Sequence, residues 1–159
     1  MQYLLEEFGH VSWERVLSGP GLENLYRFLK AKHPNAFDKE IAERMMQEDA
    51  PIVITTAGLE GTCQTCSQAL ELFVSLYASE AGNLALKCMA RGGVYLAGGI
   101  APQILEKLNS SVFRGSFIAK GRMQSVLEAI PVSVILNEHA ALLGAARCAL
   151  VRYKVGDTP

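Results

Sequence analysis

Apolar residues recur along most of the chain at three- and four-residue spacing, which is the period of an amphipathic helix. The pattern predicts helices over residues 2–8, 12–17, 22–33, 38–47, 64–91, 103–108, 122–129 and 139–153, with a helical turn at 113–117. The longest of these carries apolar residues on most sides, so we expect it to be the central, buried helix. Gly82 in its middle costs about 1 kcal/mol relative to alanine. A glycine there indicates close packing against another element.

The ends of these helices are marked by residues with known positional preferences. Asp38 is a predicted N-cap, and Thr65 with Gln68 fits a capping box for the long helix. His33-Pro34 is predicted to end the third helix, because the residue before a proline disfavours helical geometry. The stretch Ser18-Gly19-Pro20-Gly21 predicts a tight turn that brings the backbone close to another part of the protein.

Three short runs have the composition of strands. Val94–Ala97 is apolar and lies between Gly93 and Gly98, and Val132–Leu136 is rich in apolar and β-branched residues and follows Pro131. The run PIVITTA at 51–57 is predicted to be a short strand or an extended insertion. Because strands alternate with helices, the predicted fold class is α/β with an excess of helix.

Composition restricts the classes of partner. The chain has 159 residues and a net charge of −1, with lysine and arginine scattered along it. This balance favours neither nucleic acid nor an anionic membrane as a partner. No apolar run reaches the ~18 residues of a membrane span, and the acidic N-terminus is unlike a signal peptide. We therefore expect one cytoplasmic domain.

The stretch Cys63-Gln-Thr-Cys66 is a C-x-x-C motif, which occurs in redox pairs and in zinc sites. His10, His33 and His139 show no paired spacing that would complete a metal site. A redox motif of the thioredoxin type would follow a strand, whereas this one opens a long helix. We favour two small residues at a helix start, with a thiol-redox protein as the alternative.

Glu14 lies one turn before the Ser-Gly-Pro-Gly stretch. A carboxylate accepts two hydrogen bonds well, which suits the vicinal hydroxyls of a sugar. A solvated glutamate near a tight turn is the alternative.

The segment VYLAGGIAPQIL, residues 94–105, predicts a strand, a Gly98-Gly99 turn and a helix with Pro102 in its first turn. Glycines have no side chain to block a ligand, and the start of a helix offers free N–H groups, so this turn suits a nucleotide. The spacing matches neither common phosphate-binding loop, so a plain connecting turn is the simpler interpretation. Asn137-Glu138-His139 follows the last strand, where α/β proteins bind ligands, but a helix cap by Asn137 is favoured.

Four separated blocks, in this order, resemble the bacterial glucokinase family: FGHVSWERVLSGPGLENLYRFL, SQALELFVSLYASEAGNLALK, GGVYLAGGIAPQIL and PVSVILNEHAALLGAA. The resemblance spans nearly the whole chain. It implies a helix-rich part of the large domain of an actin-like, ribonuclease H-fold sugar kinase. The implied activity is the ATP-dependent phosphorylation of glucose to glucose 6-phosphate, with Mg²⁺ bridging the ATP phosphates. By the same resemblance Glu14 binds glucose hydroxyls, and Gly98, Gly99 and Ile100 lie against the adenosine.

Several motifs of that family do not occur in this sequence: the D-x-G-G-T phosphate loop, the Asn-Asp pair that holds the catalytic aspartate, the second phosphate turn and the E-G-G-H sugar block. The resemblance therefore implies that residues 1–159 are the C-terminal portion of the large domain, and that the catalytic aspartate lies outside this chain. It also implies that residues 139–159 form the last helix, which packs toward the small domain.

We expect the chain alone to be inactive. Its expected partners are glucose, ATP, and either a second copy in a homodimer or the missing N-terminal half. The alternative is a non-catalytic nucleotide- or sugar-binding or interaction module derived from a kinase half. The segment PIVITTAGLEG departs from the family pattern and receives no role.

Overall fold

A computed structural model describes residues 2–33, 38–137 and 139–156. Within these ranges the chain is mostly helical, with one small sheet. The α-helices are α1 (Gln2–Phe8), α2 (Gly19–Lys32), α3 (Lys39–Gln47), α4 (Ala50–Glu60), α5 (Gln64–Cys88), α6 (Ile100–Gln103), α7 (Leu105–Leu108), α8 (Ser111–Ile118), α9 (Gln124–Glu128) and α10 (Ala140–Gly156). Two short 3₁₀ turns cover Trp13–Arg15 and Gly121–Met123, and the strands are β1 (Val94–Leu96) and β2 (Val132–Val134).

Helix α5 is the centre of the molecule, as its apolar pattern predicts. It packs against α2, α4 and α8. Phe73, Leu70 and Val74 on this helix are almost wholly shielded from solvent. A Cβ on Gly82 would lie 2.5 Å from the carbonyl oxygen of Phe117 in α8. The expected close packing at this glycine is therefore confirmed.

The ends of α5 differ from the prediction. Its N-cap is Cys63, whose Sγ accepts a hydrogen bond from the Cys66 amide, and not the predicted capping box of Thr65 and Gln68. Thr65 is instead buried. The helix ends at Cys88, three residues early, because Met89 adopts a left-handed conformation with φ 45°.

The segment at 51–57 was predicted to be a strand or an insertion, and this is wrong. It belongs to helix α4, which starts after Asp49, has Pro51 in its first turn and ends at Gly61 in a left-handed conformation. Val53, Ile54 and Ala57 are fully buried, where α4 packs on α5 and α2. Burial against these helices outweighs the modest preference of β-branched residues for strands.

The sheet is smaller than predicted. Strands β1 and β2 pair in parallel, with Val94 opposite Val132 and Leu96 opposite Val134. Tyr95 points away from the core and is 67% exposed, so β1 is buried on one face only. The connection between the strands runs through α6 to α9, which is the long crossover that parallel strands require. The α/β fold class with a helical excess is confirmed.

Three predicted helical segments of the crossover change in detail. The helix at 103–108 is divided into α6 and α7, with Pro102 inside α6. The helix at 122–129 becomes a 3₁₀ turn followed by α9, and the helical turn at 113–117 is the full helix α8.

Helix α10 follows β2 at nearly the predicted position. Its leucines point to solvent, with Leu142 69% and Leu150 63% exposed. Across the described ranges, every helix is too short or too polar to span a lipid bilayer.

Candidate functional site

Glu14 lies in the 3₁₀ turn Trp13–Arg15, where a longer helix over 12–17 was predicted. The turn is closed by the amides of Val16 and Leu17, which both donate to the Trp13 carbonyl, at 3.0 and 2.8 Å. Ser12 precedes the turn in an extended conformation but makes no side-chain cap. The Glu14 side chain is exposed to solvent. The backbone at Glu14 is thus fixed while its carboxylate remains accessible.

Ser18-Gly19-Pro20-Gly21 is the N-terminus of α2 and not a separate turn, which corrects the prediction. Ser18 is the N-cap: its Oγ accepts from the Gly21 amide at 3.0 Å and donates to the Glu14 carbonyl at 2.6 Å. The predicted close approach of two backbone segments is present between Gly21 and Val16. A Cβ on Gly21 would lie 2.7–2.9 Å from the backbone of Val16, so only glycine lets α2 begin so near the Glu14 turn.

Asn24 is a residue of this region that the sequence analysis missed. Asn24 and Thr65 are the buried polar side chains of the described residues, and Asn24 Nδ2 donates to the Arg15 carbonyl at 3.0 Å. The available signal was an amide between Leu22 and Leu25, on a helix face that is otherwise apolar.

Gly98 and Gly99 form the turn between β1 and α6, and Ile100 is the first residue of α6. Gly98 has φ +105°, a conformation that side chains disfavour, and no atom lies within 4 Å of a Cβ built on Gly98 or Gly99. Both glycines are exposed. An adenosine therefore has room to approach this backbone. The helix that follows has only four residues, so its dipole contributes less than a long helix would.

One small cavity is bounded by the start of α2, which follows the Glu14 turn, and by α6, which follows the Gly98-Gly99 turn. Its lining includes Ser18 and Gly19 from the start of α2, and Ile100 and Gln103 from α6. Helix α4 contributes Pro51 to the same cavity, and the Pro51 Cγ is 3.5 Å from a Cβ built on Gly19. The cavity has a volume of about 40 Å³, which is a packing gap and not a ligand site. The cavity shows that the start of α2 and Ile100, which follows the Gly98-Gly99 turn, both adjoin helix α4.

A larger cavity, of about 760 Å³, lies elsewhere. It is bounded by one face of the sheet and by α7 to α9, with Leu96, Val134 and Phe113 among its apolar residues. None of Glu14, Gly98, Gly99 and Ile100 lines it. We place the candidate site at the Glu14 and Gly98 segments, because they expose a carboxylate and bare backbone, whereas the large cavity is lined mainly by apolar side chains.

Asn137 forms a local turn before α10 and is not the residue that directly precedes the helix, so its predicted role as the cap is not confirmed. Its Oδ1 accepts a hydrogen bond from the His139 amide at 2.9 Å, just before α10 begins. Glu138 lies outside the described residues.

Cys63 and Cys66 are both buried, as free thiols. Burial, and secondarily the hydrogen bond with Cys63, raises the pKa of the Cys66 thiol. A protonated, shielded thiol is a poor nucleophile and metal ligand. These observations support the structural interpretation of the C-x-x-C motif over the redox alternative.

The described residues contain no group of three or more histidine, cysteine or acidic side chains that would hold a metal ion. They therefore do not fit a Mg²⁺ site by themselves.

Comparison with known proteins gives one consistent result. The family model described as Glucokinase matches residues 1–151. A glucokinase from Synechocystis sp. is 41% identical over 162 residues, which cover 94% of this chain and 46% of that protein. A glucokinase from Psychromonas ingrahamii is 44% identical, with 99% and 46% covered. The chain thus spans just under half the length of these relatives.

A solved structure agrees with the sequence relatives. The crystal structure of a glucokinase from an Antarctic psychrotroph superposes with a TM-score of 0.75 at 34% identity. The superposition covers 91% of this chain and 42% of that one. The fold is therefore that of part of an actin-like sugar kinase.

Proposed function

Since the chain belongs to the glucokinase family, we propose that it is the C-terminal portion of an ATP-dependent glucokinase that forms glucose 6-phosphate. The observation that carries this proposal is the family match over residues 1–151, together with relatives of which the chain spans just under half. We further propose that the chain contributes one wall of the binding cleft, and that the catalytic aspartate is supplied from outside it.

In this proposal Glu14 binds glucose. Its carboxylate accepts hydrogen bonds from two sugar hydroxyls, and such charge-assisted bonds are stronger than neutral ones. The side chain is exposed and its backbone is held by the hydrogen bond from Ser18 to the Glu14 carbonyl. Glu14 then orients the sugar and does not itself move a proton.

Gly98, Gly99 and Ile100 are proposed to receive the adenosine of ATP. The open space over both glycines supports this assignment, because no protein atom occupies the position of a side chain there. Mg²⁺ would supply charge neutralisation of the ATP phosphates when bound. Because the described residues do not fit a metal site, we assign it no ligand in this chain and derive no step through it.

The last helix, within residues 139–159, is proposed to pack toward the small domain of the complete kinase. The exposed Leu142, Leu143, Leu150 and Val151 support this, since an apolar helix surface of this kind is stabilised by burial. A second copy of the chain, forming a homodimer, is the other proposed occupant of exposed apolar surface. The cytoplasmic location stays a prediction from the sequence.

The activity test compares the 159-residue chain with the native assembly, which we define as this polypeptide purified from its own cell with any N-terminal half that it carries or binds. We expect ATP-dependent formation of glucose 6-phosphate by the assembly and a rate about 10²–10⁴-fold lower, or none, for the chain alone, because a general base contributes that much. Glu14→Gln in the assembly should raise the KM for glucose, whereas Glu71→Gln on the exposed face of α5 should not. An assembly that leaves glucose unphosphorylated would refute the proposal.

The intact mass of the polypeptide in its own cell separates the two candidate functions. A mass about twice 17.3 kDa supports a kinase of the length of its relatives. A mass of 17.3 kDa, with no bound N-terminal half, favours the alternative of a non-catalytic binding or interaction module.

A further inference from the structure

Asn24 is a polar residue in an apolar setting. It is 6% exposed, and its sequence neighbours on α2 include Leu22 and Leu25, both of which belong to the core. Asparagine is a poor helix former, and burying its amide is unfavourable unless the amide is hydrogen-bonded. A leucine at this position would suit both the helix and the core better. The hydrogen bond that Asn24 makes is therefore the feature that explains its presence.

That hydrogen bond reaches back to the turn that holds Glu14. Asn24 Nδ2 donates to the carbonyl of Arg15, nine residues earlier and next to Glu14, at 3.0 Å. The Glu14 carbonyl itself accepts from Ser18 Oγ at 2.6 Å. Two consecutive carbonyls are thus held by side chains from the start of α2. The orientation of the Glu14 Cα–Cβ bond is set by this arrangement, although the carboxylate lies in solvent.

Ser18 and Asn24 differ in what else they do. Ser18 also caps α2, because its Oγ accepts from the Gly21 amide. Asn24 lies inside the helix and has no capping role. Its bond to Arg15 therefore acts on the turn and not on the end of the helix.

We propose that Asn24 is a positioning residue for Glu14, which it serves by holding the Arg15 carbonyl. This inference rests on the proposed function of Glu14 as a ligand of glucose hydroxyls. Two hydrogen bonds to one carboxylate require its placement within about 0.5 Å, and a long exposed side chain achieves this only from a fixed backbone. Loss of the Asn24 bond should therefore weaken glucose binding while leaving the nucleotide segment unaffected.

The first test uses the 159-residue chain and measures the structure of the turn. Asn24→Leu removes the donor and retains an apolar side chain of similar size. The amides of Val16 and Leu17, which close the turn on Trp13, should exchange with solvent about 5-fold faster, the factor expected for one lost hydrogen bond. Ser116→Ala is the matched control, because it removes a part-buried bond of 2.9 Å to Ser75 elsewhere in the fold. Unchanged exchange in Asn24→Leu would overturn the proposal.

The second test uses the native assembly and measures kinetics. Asn24→Leu should raise the KM for glucose about 5-fold, with kcat and the KM for ATP within about 2-fold of the unmodified protein. A purely structural role would instead lower the active fraction and leave both KM values unchanged, as we expect for Ser116→Ala. Asn24→Gln, which keeps an amide donor, should recover part of the lost affinity.

The outcomes separate this inference from the function on which it rests. If Glu14→Gln raises the KM for glucose and Asn24→Leu does not, the positioning role is wrong and the function stands. If Glu14→Gln itself leaves the KM unchanged, the sugar-binding role of Glu14 is wrong, and the role of Asn24 in binding is wrong with it.

Discussion

The helices around α5 and the C-terminal part of the chain use similar residues in opposite ways. Around α5, large apolar side chains are closed off from water, and Phe73 is 2% exposed. In α10, four large apolar side chains lie in solvent, and the sheet formed by the described residues has two strands of three residues each. Apolar content alone therefore does not decide burial. What differs is the presence of packing partners.

The reason lies in the order of the elements along the chain. Helices α2, α4 and α5 lie near one another in sequence and pack against one another. These three helices, the helical layer, therefore bury their apolar side chains among themselves. A short parallel sheet depends on further strands and on layers covering both faces for its stability. The helical layer should thus determine the stability of the isolated chain, and α10 should contribute little to it.

The largest expected effect comes from opening the helical core. Phe73→Ala should lower the free energy of unfolding by about 3–5 kcal/mol, through lost burial and the cavity left behind. Urea denaturation followed by circular dichroism measures this. Leu84→Ala on the same helix is the control: Leu84 is half exposed, and its loss should be well below that of Phe73. Equal losses would mean that α5 is not buried as described.

The second prediction tests whether water is excluded from the core around Tyr26. Burial, followed by the nearby Cys66, Cys63 and Asp38, raises the pKa of Tyr26 from 10.0 to about 12. The unfolded chain releases this proton first as the pH rises above 10, so unfolding becomes more favourable between pH 10 and 12. By pH 12 the free energy of unfolding should fall by about 2 kcal/mol through this group.

Tyr26→Phe isolates the contribution of the tyrosine. The variant should lack this part of the decline and keep the parts that arise from Cys66 and Tyr77, whose pKa values are raised in the same direction. Urea denaturation at pH 8 and pH 11 measures the difference. An identical pH dependence in both proteins would show that Tyr26 is hydrated.

A glycine-to-alanine substitution should destabilise the region around α5 and stabilise α10. Gly82→Ala places a Cβ against the Phe117 carbonyl and should destabilise the fold by about 1–3 kcal/mol, despite the gain in helix propensity. Gly144→Ala in α10 meets nothing within 4 Å and should raise helicity, by up to about 1 kcal/mol in the local equilibrium. Urea denaturation reports the first and amide exchange in α10 the second. Stabilisation by Gly82→Ala would contradict the close contact of α5 with α8.

The smallest effect is expected on the exposed face of α10. Leu142→Glu and Leu143→Glu should change the free energy of unfolding of the isolated chain by less than about 0.5 kcal/mol, because both side chains are already in water. In the native assembly the same variants should weaken the association with the N-terminal half, as measured by copurification. A large loss in the isolated chain would show that α10 packs on the helical core.

Prediction from the sequence was most successful for long, periodic elements. The central helix, the glycine at its close contact, the Asp38 cap and the α/β class follow from local spacing and residue type. The family is also visible in the sequence, as the family match over residues 1–151 confirms. The assignment of Glu14 to glucose and of Gly98 to adenosine stays a prediction.

The errors arose where contacts distant in sequence decide the outcome. The strand-like run at 51–57 became helix α4, because α2 and α5 bury its β-branched residues. The turn at Ser18–Gly21 became the start of a helix, because Gly21 packs against the backbone of Val16. Local propensities differ by less than about 1 kcal/mol per residue, whereas burial of one large side chain contributes about 1.5–3 kcal/mol.

The sequence by itself determined the α/β class, the central helix and the membership of a kinase family, because these depend on periodicity and on local motifs. Only the tertiary structure decided that Asn24 holds the turn of Glu14, and that the start of α2 and Ile100 of α6 line one cavity with Pro51 of α4. Such relations join residues through hydrogen bonds and packing across elements. They depend on how the helices are placed in space, which no local pattern of residues encodes.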